Sequence, residues 1–252
     1  MKNSFRYILI LAAYFTGSYS FAQNSFTNYK SSSHLNEIYN GKEDTLRKQF
    51  ANHGLAWPAK YVYIRSFKYD SQLELWVKNT AKEPYKLFKT YKVCMQSGTM
   101  GPKRFQGDFQ VPEGIYHISE FNPNSLYHLS LGLNYPNASD RILSDSLRPG
   151  GDIYIHGNCV SVGCVALCDE DIEEVYIIAN YAYANGLEFI PVHVFPVKYN
   201  VKRSAEYLAN TIRDKEYLKK FEDRLKEIYE YFNEKKQIPV VLINRKGEYV
   251  ID

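Results

Sequence analysis

The chain has 252 residues, of which 45% are hydrophobic and 23% are charged, with 31 Lys and Arg residues against 28 Asp and Glu. This composition is typical of a globular protein and excludes a disordered or collagen-like chain. The net charge of +3 is too small for the clustered basic surface of a nucleic-acid-binding protein, so no nucleic-acid partner is expected. The 23 Tyr and 14 Phe residues favour β-structure.

Residues 1–22 have the pattern of a secretory signal peptide. Lys2 and Arg6 precede an uncharged apolar run at 7–15, and residues 20–22 (SFA) offer small side chains to a signal peptidase. The pattern predicts cleavage before Gln23, export and a periplasmic location. An N-terminal anchor that is never cleaved is the alternative. Because the run is short and no later stretch approaches membrane length, no span is expected in the mature chain.

For the mature chain, the sequence predicts a helical lead-in at residues 23–60 and then a series of strands. The lead-in helix is expected over 45–53, because Gly54 and Pro58 follow it. Residues 97–114 and 134–151 are rich in turn residues and predict long connections. Period-two alternation or short apolar runs predict strands at 61–67, 73–77, 85–94, 115–118, 126–133, 153–156 and 188–197.

Helical spacing of apolar residues predicts three later helices. Asp169 is expected to cap the first, which Gly186 ends. The other two are expected over 205–212 and 217–232, and a hairpin at 240–243 and 249–251 is expected to close the chain.

This order of elements lacks a repeated βαβ pattern. It therefore predicts a mixed α/β fold that is dominated by strands and carries a few packed helices. Residues 61–199 are expected to form the main domain. Residues 200–252 are expected to add a C-terminal extension of helices and a β-hairpin.

The residues with catalytic potential concentrate between Gly150 and Asp169. A short strand is expected to end at His156, and Gly157 lets the chain turn so that Cys164 can return to the imidazole. A thiol beside an imidazole suits nucleophilic catalysis, in which the sulfur attacks and the histidine takes its proton. The amides around Gly163 and Cys164 are expected to point at a developing oxyanion.

The group that orients His156 is expected to be a backbone carbonyl. Asp152 shares its strand face by period two, but four residues of strand place the two about 13 Å apart. That distance is too long for a direct hydrogen bond.

The four cysteines allow other interpretations. A local disulfide between Cys159 and Cys168, which leaves Cys164 free, would suit an exported protein. Zinc could instead be held by His156 together with Cys159, Cys164 and Cys168, although their spacing lacks the paired short knuckles of common zinc sites. A free cysteine that is simply a small buried hydrophobe is the third interpretation.

Residues 155–164 (IHGNCVSVGC) resemble the active-site signature of the L,D-transpeptidase catalytic domain, the YkuD-type fold, and more specifically its YafK-like branch of murein L,D-transpeptidases. Residues 101–119 (GPKRFQGDFQVPEGIYHIS) and 121–141 (FNPNSLYHLSLGLNYPNASDR) are similar to further elements of the family. The resemblance covers residues 61–197 and implies a β-sandwich or barrel-like catalytic domain.

The resemblance assigns roles residue by residue. It implies that Cys164 is the nucleophile, that His156 is the general base, and that Gly163 and Ser161 are the motif glycine and hydroxyl. Val162 stands where the common pattern has histidine, and the spacing from base to nucleophile is short. The YafK-like branch shares both departures and includes hydrolases as well as transferases.

The implied substrates are peptidoglycan stem peptides, with a wall-attached protein as a further candidate partner. Tyr135, Arg141, Gly157 and Asn158 are expected to bind substrate, and Arg141 is suited to a carboxylate. Cys164 would form a thioester at an L-centre carbonyl of diaminopimelate, which an amine or water then resolves. The resemblance implies no metal or organic cofactor. A wall-binding module without catalysis is the alternative class.

Overall fold

The computed structural model describes residues 33–252. The predicted signal peptide and its cleavage before Gln23 lie outside these residues. The first described element is helix α1, Ser33–Asn52, which begins well before the predicted start at residue 45 and ends close to the predicted end. Among the described residues, no helix has the length and apolar character needed to cross a membrane.

Eight strands form one curled sheet. Its spatial order is β3-β2-β1-β8-β4-β5-β6-β7. In chain order the strands are β1 Tyr61–Phe67, β2 Gln72–Lys78, β3 Lys86–Lys92, β4 Gly114–Asn122, β5 Ser130–Leu133, β6 Tyr154–His156, β7 Val165–Ala166 and β8 Pro191–Phe195.

Strand β4 connects the two halves of the sheet. Its first residues pair with β8, from Gly114 opposite Val194 onwards, and its last residues pair with β5, with a register shift between Ile118 and Glu120. Such a bulge bends a strand and increases its twist. The predicted mixed α/β, strand-dominated and barrel-like fold is confirmed in the form of this curled sheet.

The remaining described elements are four helices and a terminal hairpin. They are α2 Ala138–Leu143, α3 Asp169–Ala184, α4 Lys202–Thr211, α5 Glu216–Lys235, β9 Val241–Ile243 and β10 Tyr249–Ile251. Helix α2 lies in the stretch that was predicted as a plain connection. It begins because the Asn137 side chain accepts from the Asp140 amide while the Asp140 carboxylate accepts from the Asn137 amide, which is a capping box.

The C-terminal segment contributes to the same core as the sheet. Phe232 of α5 is fully buried and its ring contacts Tyr63 and Trp76 edge-on. Leu225 and Ile228 of α5 lie in one apolar cluster with Phe67 of β1, Phe195 of β8 and Tyr249 of β10. Residues 202–251 therefore cover a face of the sheet that would otherwise expose aromatic side chains to water.

Candidate active site

The site lies at the sheet edge formed by β6 and β7. These short strands run parallel, with Ile155 opposite Val165 and His156 opposite Ala166. Cys164 directly precedes β7 and lies beside Tyr154, whose amide donates to Cys164 Sγ at 3.4 Å. Two residues of strand, about 7 Å, separate Tyr154 from His156. The edge thus brings the predicted nucleophile and base into one neighbourhood.

His156 is oriented by the carbonyl of the next residue. Its Nδ1 lies 2.7 Å from the Gly157 oxygen, and because a carbonyl can only accept, Nδ1 carries the proton and Nε2 keeps a lone pair. The Tyr127 ring covers the imidazole with 4.8 Å between the centroids. The prediction of a backbone carbonyl as the orienting group is confirmed, and Nε2 is the nitrogen that can take a proton.

Burial keeps the imidazole neutral. His156 is 3% exposed, and loss of hydration lowers its pKa, against the smaller opposing effect of the hydrogen bond to Gly157. A histidine with a lowered pKa is an unprotonated base at neutral pH.

The Cys164 thiol contacts backbone groups and not the imidazole. Sγ contacts the Asp152 carbonyl at 3.6 Å in addition to the Tyr154 amide. Burial raises the thiol pKa, the Asp152 charge adds to the rise, and the Tyr154 amide and the Lys103 ammonium reduce it. Within the described part of the chain no hydrogen bond joins Sγ to His156. The two groups therefore form a neutral thiol and imidazole, not a preformed ion pair.

Ser161 and Gly163 fix the backbone around Cys164. The Ser161 hydroxyl accepts from the Cys164 amide at 3.1 Å and donates to the Cys164 carbonyl at 2.7 Å. The Gly163 amide donates to Ser97 Oγ at 2.7 Å. In this structure both amides donate to hydroxyls, and their expected role toward an oxyanion stays a prediction. Gly163 has φ +97°, a conformation that favours glycine.

Gly157 and Asn158 form a tight turn after β6. The Asn158 amide donates to Asp169 Oδ1 at 2.7 Å, and Asn158 has φ 58°, which asparagine tolerates better than most residues. A Cβ on Gly157 would lie 2.5 Å from the same Asp169 oxygen. The structure therefore gives Gly157 a packing role. The Asn158 side chain is exposed beside it.

The disulfide joins Cys94 to Cys159, with 5.6 Å between their Cα atoms. The expected pair of Cys159 with Cys168 is therefore wrong. Cys168 is an exposed free thiol at the N-cap of α3, the position that had been expected for Asp169. The zinc interpretation loses Cys159 as a ligand, and among the described residues no group of three His, Cys, Asp or Glu side chains is arranged to hold a metal.

A cleft with a volume of about 150 Å³ lies beside the thiol. Asp152 connects the two, because it lines the cleft and its carbonyl oxygen contacts Cys164 Sγ. Lys103 lines it as a buried cation paired with Asp108, while the exposed Phe109 and Val162 give it apolar surface. The remaining lining residues are Gln106, Gly107, Gly150, Gly151 and Ile153.

Tyr135 and Arg141 lie apart from this lining. Tyr135 is buried, and its hydroxyl donates to the Pro149 carbonyl at 2.9 Å, so it supports the chain that leads to Gly150. Arg141 is exposed on α2 and donates to the Pro136 carbonyl at 3.1 Å. The structure does not bring Arg141 together with His156 and Cys164, and its expected role with a carboxylate stays a prediction.

Residues 67–194 match the YkuD family, the L,D-transpeptidase catalytic domain. The chain belongs to this family. Two curated relatives from Escherichia coli, strains K12 and O157:H7, carry the name "Putative L,D-transpeptidase YafK"; each is 33% identical over 192 residues, which cover 75% of this chain and 73% of theirs. A solved structure of the helical cell shape determining protein Pgp2 (K307A mutant) from Campylobacter jejuni is 20% identical, with a TM-score of 0.44, over 75% of this chain and 73% of that one.

Three side chains around the site of this L,D-transpeptidase domain were not identified from the sequence as parts of it. Ser97 binds the Gly163 amide, Asp169 holds the turn after His156, and Tyr127 covers the imidazole. Asp169 was noticed only as a candidate helix cap. Ser97 and Tyr127 carry no local signal, because their contacts depend on how distant segments meet.

Proposed function

We propose that the protein is an exported acyl transferase that uses Cys164 as its nucleophile and acts on peptidoglycan stem peptides. The reaction is L,D-transpeptidation at an L-centre carbonyl of diaminopimelate. The observation that carries this proposal is the hydrogen bond from His156 Nδ1 to Gly157, because it leaves a lone pair on Nε2 of a histidine in the same strand whose Tyr154 amide contacts the thiol.

In the first step the thiol leaves the Asp152 carbonyl and turns toward the imidazole. His156 Nε2 takes the proton as Sγ forms a bond to the substrate carbonyl carbon. Because both groups start neutral, proton transfer accompanies attack, and the tetrahedral intermediate carries the negative charge while His156 becomes an imidazolium.

In the second step the tetrahedral intermediate collapses. The carbon–nitrogen bond breaks, the imidazolium of His156 gives its proton to the departing amine, and a thioester on Cys164 remains. Microscopic reversibility lets the same imidazole then take a proton from the incoming nucleophile. An amine yields a new amide bond and a free thiol, whereas water yields a carboxylic acid and a free thiol.

The cleft beside Asp152 is the proposed binding place for the donor peptide. Phe109 and Val162 supply exposed apolar surface at its wall, and the Lys103 ammonium, whose charge is offset by Asp108, supplies a polar group within it. Tyr135 acts indirectly by holding the Pro149 carbonyl, and Gly157 acts indirectly by permitting the turn after the base.

Two observations support export. The N-terminal sequence has a basic start, an apolar run and small residues before Gln23. The Cys94–Cys159 disulfide suits an oxidising compartment, since disulfides persist outside the cytosol. Reaction with the cell wall then occurs in the periplasm.

Product analysis tests the proposal. The mature protein is incubated with purified tetrapeptide and tripeptide muropeptides, with and without an added amine acceptor, and products are identified by mass spectrometry. A crosslinked or acceptor-exchanged product supports a transferase. Shortened or released peptides alone would replace it by the hydrolase alternative, and unchanged muropeptides would contradict both. Cys168→Ser serves as a matched control, because it removes the other free thiol and should retain full activity.

A further inference from the structure

The loop between the base and the nucleophile is fastened at two points to one neighbouring segment. The disulfide joins Cys159, on the side nearer His156, to Cys94. The hydrogen bond from the Gly163 amide to Ser97 Oγ, at 2.7 Å, holds the side nearer Cys164. We call residues 94–97 the anchor segment and residues 157–163 the active-site loop.

The anchor segment is itself held in place by the sheet. The Cys94 amide donates to the Ala166 carbonyl at 2.9 Å, and the Ala166 amide donates to the Met95 carbonyl at 3.0 Å. Ser97 Oγ also donates to the Phe109 carbonyl at 2.8 Å. The anchor segment is therefore a fixed frame that continues the edge next to β7 and reaches the cleft wall at Phe109.

The other attachments of the active-site loop lie near its two ends, where the Asn158 amide donates to Asp169 and the Ser161 hydroxyl bonds Cys164. Cys159 has φ 30°, a conformation that is uncommon for residues other than glycine and is held by the surrounding contacts. Val160 and Val162 are 48% and 71% exposed, so the loop buries little apolar surface of its own. Low burial is the mark of a segment that relaxes when its attachments are removed.

We propose that the Cys94–Cys159 disulfide and the Ser97 hydroxyl are positioning groups that set the geometry of Cys164 relative to His156. This inference rests on the proposed roles of these two residues. Ser97 acts through the Gly163 amide, which directly precedes the nucleophile. The disulfide acts through the turn that follows the base. Neither group touches the reacting atoms.

The disulfide makes this positioning sensitive to a dithiol reductant. Cys159 is exposed and Cys94 is partly exposed, so a thiolate of dithiothreitol can attack one sulfur and release the other as a thiolate. The second thiolate of dithiothreitol then closes its ring and frees the remaining cysteine. Two electrons pass from the reagent to the protein, the reagent becomes a cyclic disulfide, and Cys94 and Cys159 end as thiols after protonation.

A variant that lacks Cys168 gives the simplest comparison. In Cys168→Ser, Cys164 is the single free thiol among the described residues. A Cys94→Ser/Cys159→Ser pair is added to that background, and the iodoacetamide reaction rate of Cys164 is measured against pH by peptide mass mapping. Turnover of muropeptides is measured in parallel, and circular dichroism at the assay temperature checks the fold.

The expected result is a folded protein whose turnover falls about 10- to 100-fold, the effect of misplacing a reacting group by about 1 Å, together with a changed pH profile of Cys164 alkylation. Dithiothreitol should produce the same loss in the Cys168→Ser parent, and reoxidation should reverse it. Unchanged turnover and unchanged alkylation would overturn the proposal. The parent protein could also show no turnover while the two substitutions still change the alkylation of Cys164. That result would reject the proposed function and leave the positioning inference standing.

Ser97 provides an independent test that leaves the disulfide intact. Ser97→Ala should lower kcat by about tenfold or more with little change in KM, and Ser97→Thr, which keeps the hydroxyl, should recover most of the loss. Thr99→Val is the matched control, because the Thr99 hydroxyl bonds Gln110 and not the active-site loop. A rise in kcat for Ser97→Ala would instead mean that the freed Gly163 amide serves the oxyanion, and it would contradict the positioning role.

Discussion

His156 Nδ1 donates to the carbonyl oxygen of Gly157 at 2.7 Å, so the imidazole is oriented by the backbone of the next residue. A carboxylate in that place would raise the imidazole pKa, whereas here burial lowers it. The arrangement provides a neutral base with its lone pair on Nε2. Under the proposed mechanism, Cys164 therefore loses its proton during attack and is not already a thiolate.

Loss of the imidazole is expected to remove most activity without affecting the fold. We expect His156→Gln to lower kcat/KM by about 10²- to 10⁴-fold, the usual contribution of a general base, in the muropeptide assay. His117→Gln is the control, because His117 contacts Phe189 edge-on and has no place in the proposed mechanism. Equal losses in the two variants would contradict the assignment of His156 as the base.

The acid limb of the pH profile should lie below the ordinary histidine range. A base with a lowered pKa stays unprotonated at more acidic pH, so kcat/KM should fall on acidification only below about pH 6.5. The Cys164 thiol, whose pKa burial raises, should show an alkylation midpoint above the ordinary cysteine value of about 8.5. An acid limb above pH 6.5 with an alkylation midpoint below 8 would indicate an ion pair instead.

The turn after β6 should tolerate no side chain at Gly157. A Cβ there would also lie 3.1 Å from the His128 Cβ and 3.1 Å from Ile172 Cγ2, so Gly157→Ala should lower the free energy of unfolding by about 1–3 kcal/mol. Urea denaturation measures this change. Gly151→Ala is the matched control, since its Cβ would meet no atom within 4 Å, and its effect should stay within about 0.5 kcal/mol. Similar losses in both variants would contradict the packing role.

Two buried carboxyl groups meet where α5 packs on the sheet. Among the described residues, Glu113 Oε2 and Glu222 Oε1 are buried without a hydrogen-bond partner. Glu222 accepts from the Tyr199 hydroxyl at 2.9 Å, and Glu113 pairs with Lys68 at 2.8 Å. Burial and then the Glu113 charge raise the pKa of Glu222 well above its usual range, so a proton held by Glu222 supplies the missing donor.

This pair predicts a stability that falls as the pH rises. Above about pH 4.5, the unfolded chain releases the Glu222 proton that the folded chain still holds, so the free energy of unfolding drops by up to about 1.4 kcal/mol per pH unit until the folded pKa is passed. Glu222→Gln keeps a donor at every pH and should remove this slope. Urea denaturation from pH 5 to 9 measures it, with the exposed Glu230→Gln as control. An unchanged slope in Glu222→Gln would contradict the shared proton.

Local sequence patterns predicted most of the fold because its strands appear as alternating segments or short apolar runs and its later helices carry apolar residues at regular spacing. Strand β1 at Tyr61–Phe67 and helix α5 at Glu216–Lys235 coincide closely with the predicted elements. Helix α2 was missed because its cap, Asn137, sits in a stretch that is otherwise typical of turns.

The contacts of the site were less predictable than its residues. The span from Gly150 to Asp169 was identified from the order of its residue types, which is a local property. The partner of Cys159 is 65 residues away, and the segment that carries Cys94 reaches it through long-range pairing with Ala166. Asp169 was expected as a helix cap but instead accepts from the Asn158 amide, because β6 returns the chain to that helix end.

The proposed mechanism requires that Cys164 carry the acyl group as a thioester. Intact mass spectrometry after rapid acid quenching of the protein with a donor muropeptide measures this directly, and peptide mapping locates the added mass. We expect the adduct on Cys164 in the parent and in Cys168→Ser, and no adduct and no turnover in Cys164→Ala. An adduct on Cys168, or turnover that persists in Cys164→Ala, would contradict the account.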